Sequence, residues 1–561
     1  MKVKKLSLLF MLMVALMWFF VACGDADEET VTDNGDGSGE TSDENVTYHY
    51  FIGGSGRDVN TNETVIGEIF EEQTGVNFQV EYLVGDLNER IGVMLAGGTY
   101  PDVVVGAGTE DMLVDAGAFI PLNDLLEEHG PNILEMYGEY LDRFTYPDGN
   151  IYYIPFGAEI NEYQPMANID QGAFWIQRGV LKEYDFPEVR TLDEYFDLIT
   201  RYADENPEID GMTTVPFTGI GHDTNFFRIS NAPNHLAGYP NDGGVMIDME
   251  THEASVYADS EHAKRYLEKL NELNAEGYLD QEMFVMNNDD YLAKLSSGRV
   301  LGFFDYGWAF GDARNALQEA NDPDKEFMAL PIVFDEDIKD QYIDPPAFVQ
   351  NRGTGITVNA ENPERIVQYW DNMVKEENQR LIMWGIEGEH YEVNDEGRYY
   401  RTEEQIELVR PQSFQEEFGM TTFSWDWPRI NGTFSDGNSI EPRRQPEVAT
   451  LEYREGDREY LDAYDIDTFS EIFSLPDDRP WYPAWSANIA PGSDADIFEE
   501  NSDQLLKRHY PRIVLADPSN FEAEWDTFVE AYRSLNVDAY EEFFTRTVEE
   551  RLNGNWQFGE E

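Results

Sequence analysis

Cysteine is almost absent from this chain: Cys23 is the only one in 561 residues. No disulfide can form within the chain, so packing alone must stabilise the fold. Basic residues are scarce as well. Lys and Arg number 38 against 112 Asp and Glu, a net charge of −74. Phosphate contacts need clustered cations, so this balance excludes nucleic-acid binding. An anionic membrane surface would also repel the chain. The eight histidines are scattered without metal-ligand spacing. There is no G-x-S-x-G and no H-E-x-x-H, and Gly53-Gly54-Ser55-Gly56 is not a phosphate loop because no G-K-[ST] follows. Adjacent carboxylates such as Glu71-Glu72 and Asp289-Asp290 arise by chance in so acidic a chain and carry no case for glycoside hydrolysis. After the first residues, no apolar run is long enough to span a bilayer.

What is present begins at the N-terminus. Lys2, Lys4 and Lys5 precede an apolar run from Leu6 to Ala22, broken only by Ser7. Then come Phe20-Val21-Ala22-Cys23-Gly24 and a polar, acidic stretch to Asn45. This layout resembles a bacterial lipoprotein signal, with Phe20 where Leu is usual. Residues 1–22 are therefore expected to be a signal peptide, cleaved before Cys23, whose sulfur would carry a diacylglycerol anchor. The alternative is an uncleaved membrane anchor. Residues 23–46, nearly free of apolar side chains, read as a disordered acidic tether. The excess of carboxylates fits a surface kept soluble in a saline or alkaline medium.

The remainder is globular in composition, with 41% hydrophobic and 14% aromatic residues. Its length implies two or more domains. Tyr48 to Ile52 reads as a strand. A helix follows with Asn62 as its cap and Val65, Ile66, Ile69 and Phe70 on one face. Phe78, Val80, Tyr82 and Val84 alternate as a second strand, Leu87 to Ala96 is a helix stopped by Gly97-Gly98, and Val103 to Val105 is a buried strand. Strands alternating with helices predict a parallel sheet covered on both faces. Further on, Thr191 and Glu194 form a capping box, Ser260 opens a helix that Gly277 ends, Arg299 to Phe304 is a strand, and Asn362-Pro363-Glu364 starts another helix. The last forty or so residues read as helical again, through Trp525, Phe528, Tyr532, Tyr540 and Phe544.

Several segments together resemble a known family. They are Leu95-Ala96-Gly97-Gly98-Thr99-Tyr100-Pro101-Asp102 before a buried strand, Trp175 to Leu181 followed by Phe186-Pro187 and Thr191 to Tyr195, Gly298 to Phe304 with Trp308, Gly355-Ile356-Thr357-Val358 with Asn362 to Glu364 and Trp370-Asp371, and Gly385 to Tyr391 with Asp395 and Gly397. Their order and spacing are similar to the family 1 extracellular solute-binding proteins, in the lipoprotein branch that serves carbohydrate ABC importers. The likeness runs from Tyr48 to the C-terminus. It implies an α/β, two-lobed periplasmic-binding-protein-like (type II) fold with a ligand cleft between the lobes. The first lobe would be 47–162 plus 328–396 and the second 163–327 plus 397–561. Gly179-Val180 departs from the branch, which carries an acidic residue and Trp there. Some relatives hold calcium in a loop that here reads Asp204 to Gly211. Asp204, Asn206, Glu208 and Asp210 keep alternating oxygens, but Pro207 stiffens the turn and Glu208 replaces a glycine. The favoured reading is an exposed acidic helix end, with calcium the weaker alternative.

A sugar offers apolar C–H faces that stack on aromatics and hydroxyls that need donors and acceptors. Trp308, beyond the strand ending Asp305-Tyr306-Gly307, is the leading stacking candidate, with Tyr306 and Asp305 beside it. Trp425 and Trp427 would point oppositely if extended. Trp481 and Trp485 lie in a Pro-rich stretch. Glu159, Asn161 and Tyr163 lie near the first expected crossing between lobes, and Glu110 follows a buried strand. The combined reading is a monomeric, lipid-anchored, non-enzymatic receptor on the outer face of the cytoplasmic membrane. It would bind a small sugar ligand without a cofactor and deliver it to ABC permease subunits. The rivals are a secreted, lipid-anchored glycoside-degrading enzyme and a non-transport adhesion or sensory module.

Overall fold

The computed structural model describes residues 45–552, apart from 55, 147, 161–165, 345–348, 478–483, 488 and 491. The expected signal peptide, Cys23 and the tether up to residue 44 lie outside the described residues. Two sheets organise the rest. The first is six-stranded, in the order Val59–Asn60, Val76–Tyr82, Val46–Ile52, Val103–Val105, Val349–Ile356, Tyr153–Phe156. Its centre is parallel: Val46–Ile52 pairs with Val76–Tyr82 on one side and Val103–Val105 on the other. The flanking strands run antiparallel. Strand alternation sends Tyr48, Tyr50, Phe78 and Val80 into one core, while Phe51 and Val104 meet Ile91 and Met94 of the helix Leu87–Gly97 on the opposite face.

The second sheet has four strands, in the order Val215–Thr218, Val300–Tyr306, Gly172–Gln177, Phe327–Leu330. Every residue of Val300–Tyr306 is buried, as expected of a central strand covered on both faces. The helices Asp494–Leu515, Phe521–Tyr532 and Val537–Leu552 pack Phe498, Tyr510, Trp525, Phe528 and Phe544 onto the same core.

Local signals behave as their chemistry demands. Thr191 accepts the Glu194 amide at 3.3 Å, and Glu194 accepts the Thr191 amide at 2.9 Å, a complete capping box. Ser260 caps its helix, and Gly277 ends it in a left-handed conformation at φ 85°. One cap differs from expectation. Thr64, not Asn62, caps the helix Val65–Thr74, because Asn62 is used in a 3-10 turn over Thr61–Glu63. Val84 also falls beyond its strand and is exposed.

The expected crossings between lobes shift. Phe327–Leu330 pairs with Gly172–Gln177 in the second sheet, and Ile332, Phe334, Tyr342 and Ile343 still pack in that core. The chain returns to the first sheet at Val349–Ile356, so residues 328–343 belong with the second core rather than with the first lobe as expected. Likewise Phe418, Phe423 and Trp427 belong to the first core, and Ile430, Phe434, Ile440 and Val448 cluster with Trp384. The second core regains the chain at Tyr453, well past 396. An apolar stripe reveals that a segment packs but not which core receives it.

Candidate functional site

At the carboxyl end of Val300–Tyr306 the chain turns sharply through Gly307 into a 3-10 turn, Gly307–Phe310. A Cβ on Gly307 would lie 2.7 Å from both Asp170 Cα and the Ile169 carbonyl oxygen, so only glycine permits this approach. The turn presents Trp308, which is 57% exposed. Its ring lies nearly parallel to Phe227 at 6.5 Å and is tilted against Tyr306 at 5.7 Å. The guanidinium of Arg228 is 5.7 Å from its centroid. A large aromatic face is thus held by neighbours while its other side meets solvent.

Asp305 and Tyr306 lie behind this platform rather than on it. Asp305 is fully buried and accepts Tyr291 Oη at 2.8 Å and the Tyr306 amide at 2.7 Å. Burial pushes its carboxyl up to about 6 against the opposing pull of Arg228. The Tyr306 hydroxyl accepts from Asn231 at 2.9 Å, and Asn231 in turn accepts from Tyr257 at 3.0 Å. Both residues were expected at the ligand; the structure makes them a buried scaffold for Trp308.

A second open tryptophan lies at the first sheet. Trp425 is 44% exposed, tilted against Phe156 at 6.0 Å, with the Arg429 guanidinium 5.4 Å from its ring. Trp427 is a correction: it is fully buried and stacks on Tyr50 at 4.3 Å, inside the first core. Asp426 between them is pushed up to about 6 by burial, which Arg352 opposes. Glu110 is also corrected. It is buried, and its oxygens accept the amides of Gly108 at 2.7 Å and Gly353 at 3.1 Å. Burial pushes it up to about 7 despite these bonds. Its role is to tie a loop to a strand. Glu441 pairs with Arg429 at 2.8 Å, and Arg314 donates to the Gly307 carbonyl.

The other candidates are scattered. Trp485 is partly exposed on the turn Ala484–Ser486, against Gly243. Asn161, Tyr163 and Trp481 lie outside the described residues. Of Glu159 only the backbone is described, paired with Asn431. In the acidic segment, Asp204 accepts Tyr278 Oη at 2.9 Å, Asn206 caps the helix Leu192–Glu205, Glu208 begins a short hairpin, and Asp210 pairs with Lys325 at 2.5 Å. Among the described residues no group of three or more His, Cys, Asp or Glu is placed to hold a metal ion. Arg178 is taken up by Asp457 at 2.6 Å and Glu326 at 3.3 Å. Sequence reasoning missed Phe227 and Arg228, whose signal was a lone arginine between Phe226-Phe227 and Ile229.

The model of the bacterial extracellular solute-binding protein family matches residues 66–385, more than half of the chain. The chain belongs to that family. This solute-binding protein is 26% identical over 249 residues to the fructooligosaccharide ABC transporter substrate-binding protein FusA of Streptococcus pneumoniae, covering 42% of the chain and 44% of FusA. It is 22% identical over 352 residues to the polygalacturonan/rhamnogalacturonan-binding protein YtcQ of Bacillus subtilis, covering 60% of the chain and 65% of YtcQ. The chain thus spans less than two thirds of the length of either relative in sequence. In structure it is similar to S. pneumoniae FusA in complex with kestose, with a TM-score of 0.66 at 17% identity, over 91% of this chain and all of that one. The expected α/β, two-lobed solute-binding fold is the one observed. Among the described residues no helix is long and apolar enough to cross a membrane.

Proposed function

We propose that this protein captures a carbohydrate, an oligosaccharide, in a cleft between lobes built on its two sheets. It would then deliver the ligand to the membrane permease of an ABC importer. Trp308 carries the reading: an indole face more than half open, held rigid by Phe227 and Tyr306 at the carboxyl end of a central strand. Trp425 on the first sheet supplies a second aromatic surface. Sugar stacked on one wall and met by the other would shift the molecule toward a closed form. The lipid on Cys23 would keep the receptor beside its permease, with the acidic segment after it setting the reach.

FusA is named as an ABC transporter substrate-binding protein and YtcQ as a polysaccharide-binding protein, which supports a receptor over a glycoside-degrading enzyme. Calorimetry against oligosaccharide panels, with product analysis of the same mixtures, separates the two. Stoichiometric binding without turnover is expected, and Trp308→Ala should weaken it at least tenfold. Turnover that survives repurification and is lost on replacing one carboxylate would defeat the receptor reading.

A further inference from the structure

In a chain with 38 cations for 112 carboxylates, a buried arginine that lacks a hydrogen bond is out of place. Arg228 is such a residue. It lies in the short helix Phe227–Ser230 with its side chain 7% exposed. Its Nε and Nη1 are covered and make no hydrogen bond, while Nη2, equally without a protein acceptor, keeps contact with solvent. The carboxylate beside it, Asp305, stands 3.5 Å from Nε and is already held by Tyr291 and the Tyr306 amide. The guanidinium carbon lies 5.8 Å from the Phe227 centroid and 5.7 Å from that of Trp308. Nη2, the guanidinium nitrogen left open, therefore lies beside the Trp308 indole.

We propose that Arg228 is a ligand-binding residue whose Nη2 donates to an oxygen of a sugar unit lying on Trp308, and that Asp305 makes this subsite select an uncharged, hydroxylated unit over a uronate. The inference rests on the carbohydrate-binding reading above and narrows its ligand class. A guanidinium alone would favour a carboxylate, through paired N–H bonds. Here Asp305 already balances it at short range. A uronate would add an uncompensated charge to a desolvated pair in a protein of net −74. A hydroxyl accepts the same hydrogen bond and adds no charge.

The test uses the mature protein and calorimetric titration with kestose, maltotetraose and xylotetraose as neutral probes and tetragalacturonate as the acidic one. A neutral probe should bind at least tenfold more tightly than tetragalacturonate. Arg228→Met should weaken neutral binding at least tenfold. That variant also strands Asp305, so its unliganded melting temperature should fall. The double variant Arg228→Met with Asp305→Asn removes both charges and should recover the melting temperature but not the affinity. Affinity that returns with stability in the double variant would make the role of Arg228 structural and overturn the proposal, as would tighter binding of tetragalacturonate. If sugars bind and Trp308→Ala weakens them while Arg228→Met does not, only this inference fails. If no probe of either charge binds, the carbohydrate reading fails with it.

Discussion

Glu110 accepts the amide of Gly353, 243 residues further along the chain, at 3.1 Å. The bond fastens the loop after the parallel strand Val103–Val105 to the strand Val349–Ile356, where the chain re-enters the first sheet. Burial pushes this carboxyl from 4.5 up to about 7, so the folded protein holds the proton more tightly than the unfolded one. The stability it contributes is full below pH 4.5 and is lost as pH rises toward about 7. Across that window the loss is roughly 3 kcal/mol at most. Glu110→Gln should flatten the fall in urea midpoint over this range. An unchanged slope in the variant would place the effect elsewhere.

Trp425 and Trp427 are separated by one residue and should respond oppositely. Trp427→Ala removes a ring stacked at 4.3 Å inside the first core and should cost about 3–5 kcal/mol in denaturant unfolding. Trp425→Ala, at a half-open surface, should cost less than about 1 kcal/mol and lower sugar affinity. Equal destabilisation by both would contradict the burial difference.

Gly307 brings the Trp308 turn against the backbone of Ile169 and Asp170. Gly307→Ala forces that contact apart and should cost about 1–3 kcal/mol. Ligand affinity should fall with it, since the indole moves. Thermal melting and calorimetry on one preparation check both effects.

Calcium should not stabilise the protein. Asp210 is engaged by Lys325 at 2.5 Å and Asp204 by Tyr278 at 2.9 Å, so the acidic segment does not converge on a cation. Melting temperatures in calcium and in chelator should agree. A calcium-dependent rise that Asp210→Asn abolishes would reverse this reading.

Cys23→Ala should release the protein to the medium of expressing cells with ligand binding unchanged. Continued membrane association of the variant would point to an uncleaved N-terminal anchor instead.

Much of the local structure was legible in the sequence, because caps, glycine stops and apolar periodicity act over a few residues. Thr191 with Glu194, Ser260 and Gly277 all do what their chemistry requires. The family was legible too, in the order of segments from Leu95-Ala96-Gly97 to Gly385-Ile386-Glu387. The candidate site was legible in part. Trp308 stood out because an aromatic follows Gly307 at a strand end. Glu110, Asp305, Tyr306 and Trp427 were candidates beside it, and each is covered by segments distant in sequence: Gly353 for Glu110, Tyr291 and Arg228 for Asp305, Asn231 for Tyr306, Tyr50 for Trp427.

By itself the sequence determined the chemistry of the chain: no disulfide, a net charge of −74, and the local preferences that build its strands and helices. Those follow from composition and short-range sterics. Only the tertiary structure decided which tryptophan is core and which is open, which core receives residues 397–450, and that Arg228 stands beside Trp308 with its donors unused. Exposure is a property of what covers a residue, and here the covering segments come from far along the chain.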